Sequence, residues 1–157
     1  MLSTKSKNKI NQELKKYPAN QKKSAVITAL QIVQTENGWL SNNDISGVAN
    51  YLEIPEIAAM EVATFYNMFD LKDVGKYKIS VCTNISCMLR DAENLVDHMK
   101  KKFGIDFNEP SKDGMFYLKE SECMGACGGA PLITINNHDM YENLTIDRFD
   151  KIIKDLT

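Results

Sequence analysis

The cysteines of this chain fall into two close pairs, Cys82 with Cys87 (C-x4-C) and Cys123 with Cys127 (C-x3-C), and there are no others. Thiolates bind soft and borderline metals, and two sequence-local pairs suit tetrahedral sulfur coordination of structural zinc or of an iron–sulfur cluster. The second pair lies in the stretch from Cys123 to Pro131, which also holds Gly125, Gly128 and Gly129 of the chain's eight glycines. Such crowding suits a backbone that must fold closely around something, with dihedrals that a β-carbon forbids. Spacing alone leaves zinc and iron–sulfur both open. Neither pair is the C-x2-C of many zinc ribbons, and the plant-type ferredoxin spacing brings its next cysteine only three positions on. A Rieske centre would need two histidine ligands, whereas His98 lies off the apolar face of its helix and His138 falls in a turn, so both read as solvated residues.

A cluster gives the glycines a task. Backbone N–H groups of Gly125, Gly128 and Gly129 could donate to sulfur, and such bonds tune the reduction potential. The helix start near Cys87 would add a positive dipole end, and Met88, Leu89 and Met124 would shield the sulfurs from water. Without a secretory signal the default compartment is reducing, which disfavours disulfides among these thiols.

The elements that must position these residues are legible in the hydrophobic pattern. Ile10 and Leu14 stand one turn apart in a short amphipathic helix over 7–17, ended by Pro18. A second helix over 20–36 presents Val26, Ala29, Leu30 and Val33, and Gly38 closes it. Ser41 and Asp44 form a capping-box signature for a third, carrying Ile45, Val48, Ala49 and Leu52. Pro55 opens a fourth, with Ala58, Val62, Phe65, Tyr66 and Phe69 on one side. Trp39, Phe65, Tyr66 and Phe69 are expected to pack in the core of this bundle.

The pattern changes at Gly75. Tyr77, Ile79 and Val81 alternate in a strand that delivers Cys82 at its carboxyl end. A helix over 86–103 follows, with Ala92, Leu95, Val96, Met99 and Phe103 on one face. After a polar connection over 105–114 come a strand over 115–118, the cysteine loop, a strand over 132–135, a hairpin to residues 140–142, and a helix capped by Thr145. Helices on such a mixed sheet would resemble a thioredoxin-like domain, and the fold class is α+β.

Composition limits the function classes. At 157 residues and 43% apolar the chain can bury a core, and a net charge of -2 argues against phosphate recognition. No signal peptide, transit peptide or membrane span is expected.

The strings VATFYNMF (62–69), VGKYKISVCTNISCML (74–89), ECMGACGGAPLITIN (122–136) and YENLT (141–145) resemble the thioredoxin-like 2Fe-2S ferredoxin subunit of respiratory NADH:quinone oxidoreductase. That resemblance runs from about Tyr17 to the C-terminus. It implies a helical bundle over 1–74 and a thioredoxin-like ferredoxin domain over 75–157, with Cys82, Cys87, Cys123 and Cys127 ligating one 2Fe-2S cluster. It further implies a partner subunit that binds FMN and NADH, other peripheral-arm subunits, and no substrate site in this chain. The place implied is the cytoplasmic side of a bacterial inner membrane, without insertion, or less readily the mitochondrial matrix side. Related subunits serve NAD-linked hydrogenases and formate dehydrogenases, which remain alternatives, as does a structural zinc module. Asp73 and Asp91 depart from the proline and glycine of many relatives, and Gly129 from a common asparagine. Pro131 follows either a cis bond, as in thioredoxin folds, or an ordinary trans one.

Overall fold

A computed structural model describes residues 2–157, which separate into one compact unit ending at Asp73 and a second spanning Val74–Thr157. No helix of the described residues is long and apolar enough to cross a membrane.

The first unit is helical: α1 (Thr4–Leu14), a 3-10 turn (Lys22–Ala25), α2 (Val26–Asn37), α3 (Asn42–Leu52) and α4 (Glu56–Phe65). Two of these starts are capped by a side chain. The Ser3 hydroxyl accepts from the Ser6 N–H at 3.0 Å, which places α1 three residues earlier than its apolar pair suggests. At α3 the capping box closes in both directions, Ser41 Oγ accepting from Asp44 N–H and the Asp44 carboxylate from Ser41 N–H. Gly38 stops α2 in a positive-φ conformation that costs a glycine little. The predicted faces of α2 and α3 are the buried ones, with Ala29, Leu30, Val33, Ile45, Val48, Ala49 and Leu52 all in the core.

The fourth helix corrects the sequence reading. Its buried residues are Ala59 and Ala63, while Phe65 is 80% exposed and Tyr66 40%, so neither ring packs in the core. Small side chains let neighbouring helices approach closely, which turns the buried stripe by one position from the bulky residues. The two rings instead pack edge to face on each other, centroids 5.1 Å apart. Phe69 is buried as expected, and Trp39 is half-buried.

The second unit is a five-stranded mixed sheet in the order β2-β3-β1-β4-β5: β1 (Tyr77–Cys82), β2 (Glu109–Pro110), β3 (Phe116–Ser121), β4 (Ile133–Ile135) and β5 (Asp139–Tyr141). Only β1 and β3 run parallel, joined through α5 (Ile85–Met88) and α6 (Ala92–Phe103), and α7 (Ile146–Leu156) closes the chain. Alternation along the strands sends Ile79, Val81, Leu118, Ile133 and Ile135 into one core with Leu95, Val96, Met99, Phe149 and Ile153 from the helices. This is the thioredoxin-like α+β arrangement.

Two local features escaped the pattern. The two-residue β2 pairs with β3 inside the stretch read as a plain connection, because two residues carry no period. The helix predicted over 86–103 is broken, since Asp91 adopts φ 71° and divides α5 from α6. A left-handed residue cannot continue a right-handed helix. Glycine is the residue this conformation favours.

Candidate metal centre

The central strand β1 carries Cys82 to its carboxyl end, in register with Ser121 of the parallel β3. Its N–H donates to Leu132 O at 3.2 Å, so the residue that precedes β4 also holds this ligand candidate in place. The next residues turn sharply. Asn84 caps α5 by accepting the Ile85 N–H, and the Cys87 N–H goes to Asn84 O at 2.9 Å. Cys82 and Cys87 are both buried, packed with Ala92, Ala130 and Leu132 and flanked by Met124 and Ala126.

The second pair follows β3. Cys123 lies two residues beyond the strand end and is exposed, and Gly125 at φ 76° turns its N–H back to the Cys123 sulfur at 3.4 Å. Cys127 opens a 3-10 turn, Cys127–Gly129, and is also exposed. The bond from Ala130 to Pro131 is cis, and Pro131 leads the chain into β4.

All four cysteines are free thiols. Burial, then the hydrogen bond and charge of Cys82, with a further contribution from Cys127, push the Cys87 thiol up to about 11. Two of the groups acting on Cys87 are thus other cysteines, Cys82 of its own pair and Cys127 of the glycine loop. Among the described residues no three His, Cys, Asp or Glu side chains gather closely enough to ring one ion. A 2Fe-2S centre divides four thiolates between two irons. The donor set, four thiols from two loops at one end of a parallel strand pair, is chemically suited to that division.

Several expectations about the surroundings change. Of the three loop glycines, Gly125 meets a sulfur, but the Gly129 N–H donates to Ala126 O at 3.0 Å inside its own turn. Met124 does pack against the buried thiols, whereas Met88 and Leu89 are 45% and 77% exposed and lie outside that cluster. The helix start near Cys87 is a four-residue turn with Cys87 inside it, too short to build a dipole end there. His98 is not simply solvated, because its Nε2 meets Asp150 Oδ1 at 2.9 Å, while His138 is exposed beside Asp139.

Sequence reasoning also missed the arginines. The chain has two, and both brace backbone around this loop: Arg90 Nη1 donates to Ala130 O at 3.3 Å, and Arg148 Nη1 to Glu142 O and Asn143 O. The signal was available in their scarcity, set against the chain's many lysines.

The profile of the thioredoxin-like [2Fe-2S] ferredoxin family matches residues 10–157. The chain belongs to this family. Among the relatives of this ferredoxin are proteins named as the E subunit of NADH-quinone oxidoreductase. The one from Rickettsia conorii is 48% identical over 144 residues, 91% of this chain and 86% of the relative. That from Rickettsia felis is 47% identical over 141 residues, 89% of this chain and 84% of the relative. Among solved structures, an NAD+-reducing [NiFe]-hydrogenase superposes with a TM-score of 0.72 at 19% identity, over 83% of this ferredoxin and 22% of the hydrogenase chain. At that identity the likeness concerns the fold.

Proposed function

We propose that this chain is the electron-transfer subunit of an NADH:quinone oxidoreductase, with Cys82, Cys87, Cys123 and Cys127 holding one 2Fe-2S cluster. The observation that carries the reading is the 48% identity, over nine-tenths of the chain, to a relative named as part of that complex. When bound, the cluster supplies one-electron chemistry, taking and releasing single electrons at the sulfur-held irons. The chain's own residues bind it and set its surroundings. The buried Cys82 and Cys87 would hold it as thiolates, their protons released to solvent on loading, and Met124, Ala126, Ala130 and Leu132 keep water from that side. Gly125 donates to the Cys123 sulfur.

The partner in this reading is the subunit that binds FMN and NADH, with further peripheral-arm subunits beside it. The complex stands on the cytoplasmic side of a bacterial inner membrane, and this chain contacts no lipid core. A place in an NAD-linked hydrogenase is the lesser reading, because the hydrogenase likeness is one of fold at 19% identity.

Metal analysis of the purified chain tests the proposal. Iron and acid-labile sulfide in equal amounts, with a rhombic electron-spin signal after reduction, are expected. Colourless protein holding zinc would overturn it. Co-purification with a flavin-bearing NADH-oxidising subunit and a quinone-reducing membrane arm would support the parent complex, and a hydrogenase in their place would refute it.

A further inference from the structure

Glu142 follows β5 and lies directly against the glycine loop. The Asn143 N–H donates to Gly129 O at 2.6 Å, and the Leu144 N–H to Pro131 O at 3.0 Å, so this segment is laid along residues 129–131. Arg148 fixes it from the other side through the carbonyls of Glu142 and Asn143. The Glu142 side chain occupies the space that a β-carbon on residue 129 would fill. Such a carbon would stand 2.5 Å from Glu142 Cδ and 2.7 Å from its Cβ, and would collide with Oε2 as well. Gly129 is buried and only two residues from Cys127. The glycine is what admits a carboxylate at this point of the loop.

We propose that Glu142 tunes the reduction potential of the centre held by the four cysteines, its negative charge keeping that potential low. The inference rests on the cluster reading above. An oxidised 2Fe-2S centre with four thiolates already carries a net charge of about −2, and one added electron makes it about −3 with no bond formed or broken. A carboxylate beside the loop opposes that electron by Coulomb repulsion, weakened by the solvent around this exposed residue. Both arginines direct hydrogen bonds to backbone carbonyls around it.

The test is a mediated redox titration of the full chain loaded with iron and sulfide, dithionite-reduced mediators supplying the electron. In Glu142→Gln the equilibrium constant for reduction should rise several-fold, toward tenfold, which corresponds to about 59 mV for one electron. Visible and electron-spin spectra should keep their wild-type shape, since no ligand is touched. Glu142→Asp, which keeps the charge, should move the midpoint less than Gln does. A Gln variant at the wild-type midpoint, or an Asp variant shifted as far as Gln, would overturn the proposal. If the Gln variant does not load, Glu142→Ala and Glu142→Lys replace it. Lys should then raise the midpoint further than Ala, and any other order counts against the role. Wild-type chain that takes up no iron or sulfide removes the cluster reading and this inference with it. A loaded chain with an unmoved midpoint removes the inference alone.

Discussion

Gly125 donates its backbone N–H to the sulfur of Cys123 at 3.4 Å, and does so from φ 76°. A β-carbon at Gly125 would meet nothing within 4 Å, and the same holds for Gly128 in the same loop, which lacks the positive φ. Any cost of alanine at 125 is therefore conformational, about 1–2 kcal/mol for a left-handed backbone. Gly125→Ala is expected to lower the unfolding free energy by about that amount in urea titrations, with Gly128→Ala costing less than half as much. Equal losses would show that φ is not what selects glycine at 125.

Cys127 is exposed, so its replacement leaves no cavity in a core. Cys127→Ala should keep the far-ultraviolet circular dichroism of the wild type and abolish the visible 2Fe-2S absorbance. Full absorbance in that variant would remove Cys127 from the ligand set.

Asp91 is strained at its φ of 71°, and a 2.6 Å bond from Asn94 Nδ2 to its carboxylate offsets part of that cost. Asp91→Gly removes both effects and is expected to change stability by no more than about 0.5 kcal/mol. Asp91→Val, β-branched and unable to bond Asn94, should cost at least ~1–2 kcal/mol. Thermal unfolding of the two variants checks the ordering.

On α4, Ala63 is 2% exposed and Phe65 80%. Ala63→Leu should destabilise by about 1–3 kcal/mol through overpacking. Phe65→Ala should cost under about 0.5 kcal/mol, as surface changes do. The reverse ranking in denaturant titrations would restore the aromatic face as the buried one.

The His98 hydrogen bond, joined by Lys102 and opposed by partial burial, holds the Asp150 carboxyl below its usual range. The folded state thus favours the ionised form. Its contribution is complete above the ordinary carboxylate range and is lost as pH falls through the lowered folded value. Because the Asp150 side chain is 38% exposed, the effect is a few tenths of a kcal/mol at most. Asp150→Asn should lower stability slightly at neutral pH and converge with wild type in strong acid. A constant difference across that range would exclude the linkage.

How much was legible from the sequence varied with the kind of signal. Periodicity identified the buried faces of α2, α3 and α6 because three or four large apolar residues repeat on each. It failed on α4, where the buried positions are alanines whose hydropathy is weak and whose value lies in letting helices approach. Asp91 was noticed as a departure from glycine, yet the break it makes between α5 and α6 needs a dihedral, which no residue type states. At the loop, glycine content suggested sulfur-directed N–H groups, and only the observed hydrogen bonds separated Gly125, which serves a sulfur, from Gly129, which serves its own turn.

The sequence by itself determined which thiols are candidate donors and what chemistry such thiols offer. Four thiols in two local pairs, each at a strand-to-loop transition, are properties of residue type and spacing, and the flanking strings carried the family. Tertiary structure decided what surrounds those thiols. Register across β1 and β3 set the depth of Cys82, packing buried Cys87 while leaving Cys123 and Cys127 exposed, and a return of the chain after β5 laid Glu142 against Gly129. Contacts between residues far apart in sequence depend on how the elements dock. Local spacing does not encode them.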